Sequence, residues 1–218
     1  MKKIYSLLLI AVSLLSVNIT NAQDLIITGA FDGPLSGGIP KLMELYVVNN
    51  ISDMSIYGVS SVTNGGGTTG APEFTFPAVS ATAGDYIWIA TDSTSVFTYF
   101  GVYPHYTNSF MSVNGDDALE LFMSGTVIDV FGDVDADGSG LPWDYLDGWG
   151  YRNDGTTGSS TLTLSNWTFS GANATDGCTT NASCSSQFPI GTYQFVATPT
   201  MDIETPSFTM NEADPTTI

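Results

Sequence analysis

An all-β sandwich is the fold class this sequence predicts. Short runs rich in β-branched and aromatic residues recur along the chain. Clusters of Gly, Asn, Asp, Ser and Thr separate them at turn-like intervals. No long stretch has the apolar period of an amphipathic helix.

Residues 1–22 read as a signal peptide rather than as part of the fold. Lys2 and Lys3 precede the apolar run Leu7–Leu15, and small and polar residues follow it. Cleavage is expected after Ala22. The run is too short to cross a bilayer as a mature helix, and no later stretch is long and apolar enough to do so. The expected location is therefore secreted, extracellular or cell-surface, with no membrane span.

The expected domain covers residues 23–196. Its strands are Asp24–Phe31, Lys41–Val48, Ser55–Val62, Glu73–Phe76, Asp85–Ala90, Ala118–Met123, Thr126–Phe131, Thr161–Leu164 and Asn166–Phe169. In Asp85–Ala90, Tyr86, Trp88 and Ala90 share one face, and Ile87 and Ile89 share the other. In Ala118–Met123, Glu120 opposes the Leu119–Leu121 face and is expected at the surface. Ser124-Gly125 joins the next two strands with the length of a tight hairpin. Val96, Phe97 and Phe100 fit a helical turn within Thr94–Gly101. Asn64–Gly70 (NGGGTTG) has no lysine behind it to hold phosphate and reads as a flexible hairpin loop. Residues 197–218 are rich in Thr, Pro and acids and read as a linker or tail.

Charge narrows the function. The whole chain has 4 basic and 22 acidic residues. Lys2 and Lys3 leave with the signal, so the mature balance is 2 − 22 = −20. Direct nucleic-acid binding needs clustered cations and is excluded as an expectation. The same surplus offers oxygen ligands to hard cations. Cys178 and Cys184 are expected to form a disulfide, because an exported chain matures under oxidising conditions.

Two segments are candidate sites. In Asp133–Asp144 (DVDADGSGLPWD), acids occupy positions 1, 3, 5 and 12 and Gly138 occupies position 6, the spacing of a calcium loop. Asp133, Asp135, Asp137, the Ser139 carbonyl and Asp144 are the expected Ca2+ ligands. The flanks are not helical, so no EF-hand pair is implied. The other reading is a solvated turn built from Asx motifs. Beyond the loop, Trp143, Tyr145, Trp149 and Tyr151 alternate with polar residues and precede Arg152. They are candidates for stacking against sugars, or they fill the core. The lone His105 and the absence of a Gly-X-Ser-X-Gly elbow argue against an enzyme. Glu44, Glu73 and Glu120 are not shown by sequence to face one another.

Three segments, Met43–Val62, Phe74–Asp92 and Asn114–Asp133, together resemble the lamin tail domain family in its secreted bacterial form. Asp147–Asp154 (DGWGYRND) looks like that family's short polar-aromatic strand bearing an Arg. The resemblance spans about Asp24 to Tyr193. It implies an immunoglobulin-like β-sandwich, non-catalytic, used for binding or adhesion. The expected partners are an extracellular protein or a carbohydrate. The alternatives are a carbohydrate-binding module, or an accessory front domain of a larger secreted hydrolase or nuclease. The connections Asp133–Tyr145 and Gly171–Phe188 are longer than the family's compact pattern.

Overall fold

The computed structural model of the protein describes residues 23–195. The expected signal peptide (1–22) and the expected tail (197–218) lie outside them. Within them the chain is an all-β sandwich of two sheets. The first has six strands in the order β10-β9-β1-β2-β5-β6, and the second has four in the order β4-β3-β7-β8. In chain order these are β1 (Leu25–Leu35), β2 (Ile39–Val47), β3 (Tyr57–Val62), β4 (Phe74–Thr75), β5 (Tyr86–Ala90), β6 (Tyr106–Thr107), β7 (Ala118–Met123), β8 (Thr126–Phe131), β9 (Gly148–Arg152) and β10 (Trp167–Phe169).

Turn chemistry explains several junctions. Ser124 and Gly125 have φ of 50° and 80°, so both central residues of the β7–β8 hairpin are left-handed. The single helix, α1 (Ser93–Phe100), starts where the Asp92 side chain accepts the Ser95 N–H, and ends at Gly101 with φ 75°. The expected strand Thr161–Leu164 does not form. Ser159 O accepts the Val130 N–H at 3.0 Å, but the pairing goes no further, and Leu164–Asn166 turns into a short 3-10 helix. The two-residue β6 and the strand β9 complete the first sheet instead. Asp147–Asp154, the segment likened to a short strand bearing an Arg, contains β9.

The first sheet is covered on both faces. Met43, Leu45, Ile87 and Ile89 face the second sheet, among Val59, Leu119, Leu121 and Phe131. Leu42, Ala90 and Phe31 point the other way. They pack under α1 and a C-terminal strap that brings Cys184, Phe188 and Tyr193 into a second core. This explains why the first nine residues of β1 are all buried. Under the strap lies Glu44, fully buried. It accepts from Thr28 Oγ1 (2.8 Å), Trp88 Nε1 (2.9 Å), Tyr151 OH (2.7 Å) and the Gly191 N–H (2.7 Å). Burial pushes its carboxyl above the ordinary value, against those four donors. The Tyr151 oxygen in turn accepts the Thr192 and Tyr193 N–H groups. Cys178 and Cys184 form the expected disulfide, with Cα atoms 5.3 Å apart.

Glu120 is not a surface residue. It is 1 % exposed, and one oxygen accepts from Ser60 Oγ, Thr69 Oγ1 and the Thr69 N–H. The loop Asn64–Gly70 covers it. That loop is anchored rather than loose, because its Gly67 N–H reaches Val134 O at 2.8 Å. No helix among the described residues is long and apolar enough to cross a membrane.

Candidate functional site

One end of the sandwich gathers carboxylates. Asp32 and Lys41 pair across β1 and β2 there, at 2.6 Å. Burial raises the Asp32 carboxyl to about 6, even though Lys41 pulls it down. Asp116 and Asp117 open β7 at this end, and Asp137 and Asp144 come from the connection that follows β8. Burial raises Asp116, and the nearby carboxylates of Asp117, Asp137 and Asp144 raise it further. Burial also raises Asp117. The N–H groups of Asn64 and Asn114, at 3.0 and 3.3 Å, oppose that rise. Asp147, with φ of 42°, is raised by burial and by Asp176 beside it.

The loop Asp133–Asp144 does not close as one ligand shell. Gly138 divides it. The Gly138 N–H bonds Asp116 O at 3.0 Å, and a Cβ there would stand 2.6 Å from the Trp143 ring. The glycine answers close packing, not a left-handed turn. Ahead of it, Asp133 and Asp135 face a depression shared with Ser160, Thr161 and Leu162. Beyond it, Asp144 lies with Asp137 on the Asp116 side. Three of the four carboxylates also cap nearby backbone. Asp133 accepts the Asp135 N–H, Asp137 accepts the Ser139 N–H, and Asp144 accepts the N–H groups of Gly140 and Leu146, all at 2.8–3.0 Å. These are the Asx motifs of the alternative reading. Ser139 is exposed. Among the described residues, no three His, Cys, Asp or Glu side chains stand together as a metal cage.

The sequence singled out Asp137 and Asp144 but missed Asp116. It sits in a segment, NGDDALE, whose alternation says strand. The signal that could have found it is the doubled acid at a strand mouth facing an acidic loop. One oxygen of Asp116, Oδ1, is shielded from solvent and has no hydrogen-bond partner.

The aromatic residues do not form a stacking surface. Trp143 and Tyr145 lie in the core between the sheets. Tyr145 meets Phe131 edge-on at 5.0 Å and donates its hydroxyl proton to Asp117 O at 2.9 Å. Trp149 and Tyr151 face the opposite way, into the strap core. A depression of about 360 Å³ reaches Trp149, Tyr151 and Arg152, but these are 9 %, 6 % and 2 % exposed. None of these four rings offers an open face to a sugar. Trp149 and Tyr151 share the strap-facing side of β9, whereas Trp143 and Tyr145 lie ahead of that strand, in the connection that follows β8. Arg152 is spent internally. Its Nη2 bonds both oxygens of Asp129 at 2.9 and 2.7 Å. Of the three glutamates among the described residues, Glu44 lies beyond the first sheet and Glu120 beyond the second, so both sheets separate them.

No family model matches this chain, and neither the curated proteins nor the solved structures yield a match.

Proposed function

We propose that this chain is an exported β-sandwich binding module of the lamin-tail, immunoglobulin-like type, and that its acidic end takes up calcium. The observation that carries the calcium reading is the shielded, donorless Oδ1 of Asp116 beside the carboxylates of Asp137 and Asp144. Like charges gathered at one end of the fold repel one another, and a divalent cation relieves them. Calcium fills its shell of six to eight oxygens partly from carbonyls and water, so it does not need three preassembled carboxylates. The proposed site therefore moves from the five residues of the loop to Asp116, with Asp137 and Asp144 drawn in as the ion binds, because the three are not preassembled. Asp133 and Asp135 drop out because they line a separate depression with Ser160, Thr161 and Leu162.

The lamin-tail reading draws on where the three likened segments fall. They contribute β2 and β3, β4 and β5, and the β7–β8 hairpin, which together are the whole second sheet and two inner strands of the first. Export draws support from the disulfide, which persists in oxidising compartments.

Isothermal titration of the chelator-treated chain tests the calcium reading. We expect saturable heat with a Kd of about 0.1–1 mM, the range of extracellular calcium modules. Asp116→Asn and Asp137→Asn should each weaken it, and Asp133→Asn should leave it unchanged. Absence of heat, or loss on Asp133→Asn alone, would overturn the assignment.

A further inference from the structure

We propose that a cleft at the opposite end of the first sheet binds one pyranose ring of a neutral saccharide. The cleft holds about 310 Å³, within the range of small-ligand pockets. Met54, Val79 and Tyr106 give it apolar walls, and Ser80, Asp85 and His105 converge on it. Val47 N–H bonds Asp85 O, which places the cleft at the end of β2 away from Lys41. It is therefore separate from the acidic end and does not depend on the calcium reading.

The polar groups are set as a donor and an acceptor. His105 Nδ1 accepts the Trp88 N–H at 3.1 Å, and the His105 N–H returns to Trp88 O at 2.9 Å. With Nδ1 engaged as an acceptor, the proton of the neutral ring sits on Nε2, which is left as a donor. Burial lowers the imidazole below its ordinary value and keeps it neutral near pH 7, although Asp85 pulls the other way. The Trp88 ring, 5.2 Å away, braces it. Asp85 spends Oδ2 on the Thr82 N–H at 2.9 Å, which leaves Oδ1 as an acceptor.

Charge and bonding pattern select the ligand class. An anion would meet Asp85 and the field of a strongly acidic chain. An ammonium ion would meet the imidazole N–H, a donor facing a donor. Neighbouring sugar hydroxyls each donate and accept, so they satisfy both groups, while Val79, Met54 and Tyr106 cover the ring's C–H face.

The test is an amide NMR titration of the full chain with methyl glucoside, methyl galactoside, methyl mannoside or N-acetylglucosamine, and separately with methylammonium. At least one sugar should saturably shift the amides of Ser80, Ala81, Asp85 and Tyr106. Asp85→Asn should weaken that sugar about ten-fold, the worth of one charge-assisted hydrogen bond, and His105→Gln about five-fold, the worth of a neutral one. Ser80→Val, at an exposed position, should weaken it too and serves if His105→Gln misfolds. No saturable shift with any sugar, a response to methylammonium alone, or unaltered binding by the variants would overturn the proposal.

Discussion

Asp129 and Arg152 are both essentially out of solvent, and each is surrounded by partners. Asp129 accepts the N–H groups of Ile27 and Ser159 at 2.8 Å and of Val130 at 3.0 Å, besides the guanidinium. Burial raises its carboxyl, while Arg152 and these N–H groups oppose the rise. Arg152 also donates to Ile27 O and to Thr157 O, and lies 4.3 Å over the Trp167 ring. Removing one partner strands a buried charge. Arg152→Met should therefore cost about 3–5 kcal/mol in urea unfolding. Arg152→Lys should not rescue it, because an ammonium cannot reproduce the planar, stacked fork. Little of this was legible in the sequence. A lone arginine in an acidic chain is conspicuous, but its partners lie 23 and 125 residues away. Asp116 was missed for a similar reason: nothing local says that a later loop returns to it.

At the scale of elements, turn-bounded alternation was read well. The β7–β8 hairpin, α1 and the strands of the first sheet's middle fall close to their expected positions. The failures were short or irregular pieces. Two-residue β6 is too brief for any period, and 161–164 has strand-like residues but forms no ladder with β8, the backbone bond to that strand coming from Ser159. The strap is the element with most at stake. Its disulfide closes a seven-residue loop beside Tyr99, whose hydroxyl lies 3.2 Å from Cys184 Sγ. Replacing both cysteines by serine should lower stability by about 2 kcal/mol, the chain-entropy value for so small a loop. Hydrogen exchange should accelerate first in residues 181–193, before the intersheet core. Uniform acceleration across both sheets would show that the strap is not a separate unit.

Across the whole molecule, Lys41 and Arg152 are the only lysine or arginine among the described residues, and each is held in an ion pair with an aspartate. The charge facing solvent is thus overwhelmingly negative. Asp32, Glu44, Asp116, Asp117 and Asp147 all have raised carboxyls, burial being the first cause in each. A carboxyl raised on folding binds its proton more tightly in the native state. The stability it lends is complete below the unfolded value and is lost as pH rises through the folded one. For Asp32 that window runs from 3.8 to about 6. Asp53 and Asp92 are lowered, Asp53 by its Ser55 hydrogen bonds and Asp92 by its Ser95 and Thr94 hydrogen bonds against burial, so they lose stability only below their ordinary range. Thermal unfolding without calcium should therefore give a higher Tm at pH 5 than at pH 7.5, and Asp32→Asn should flatten the difference. A Tm that falls steadily from pH 7.5 to 5 would contradict this.

By itself the sequence determined the all-β class, the principal strands and their turns, the disulfide and the acidic surplus. These follow from local backbone preference, two-residue alternation and composition. Only the tertiary structure decided what covers each face. Alternation assigns a side chain to a side of its strand but not to water, a second sheet or a strap. So Glu120, read along the chain as a surface residue, is buried by a loop 51 residues away, while Trp149, left by the sequence between sugar platform and core, lies in the core under the strap.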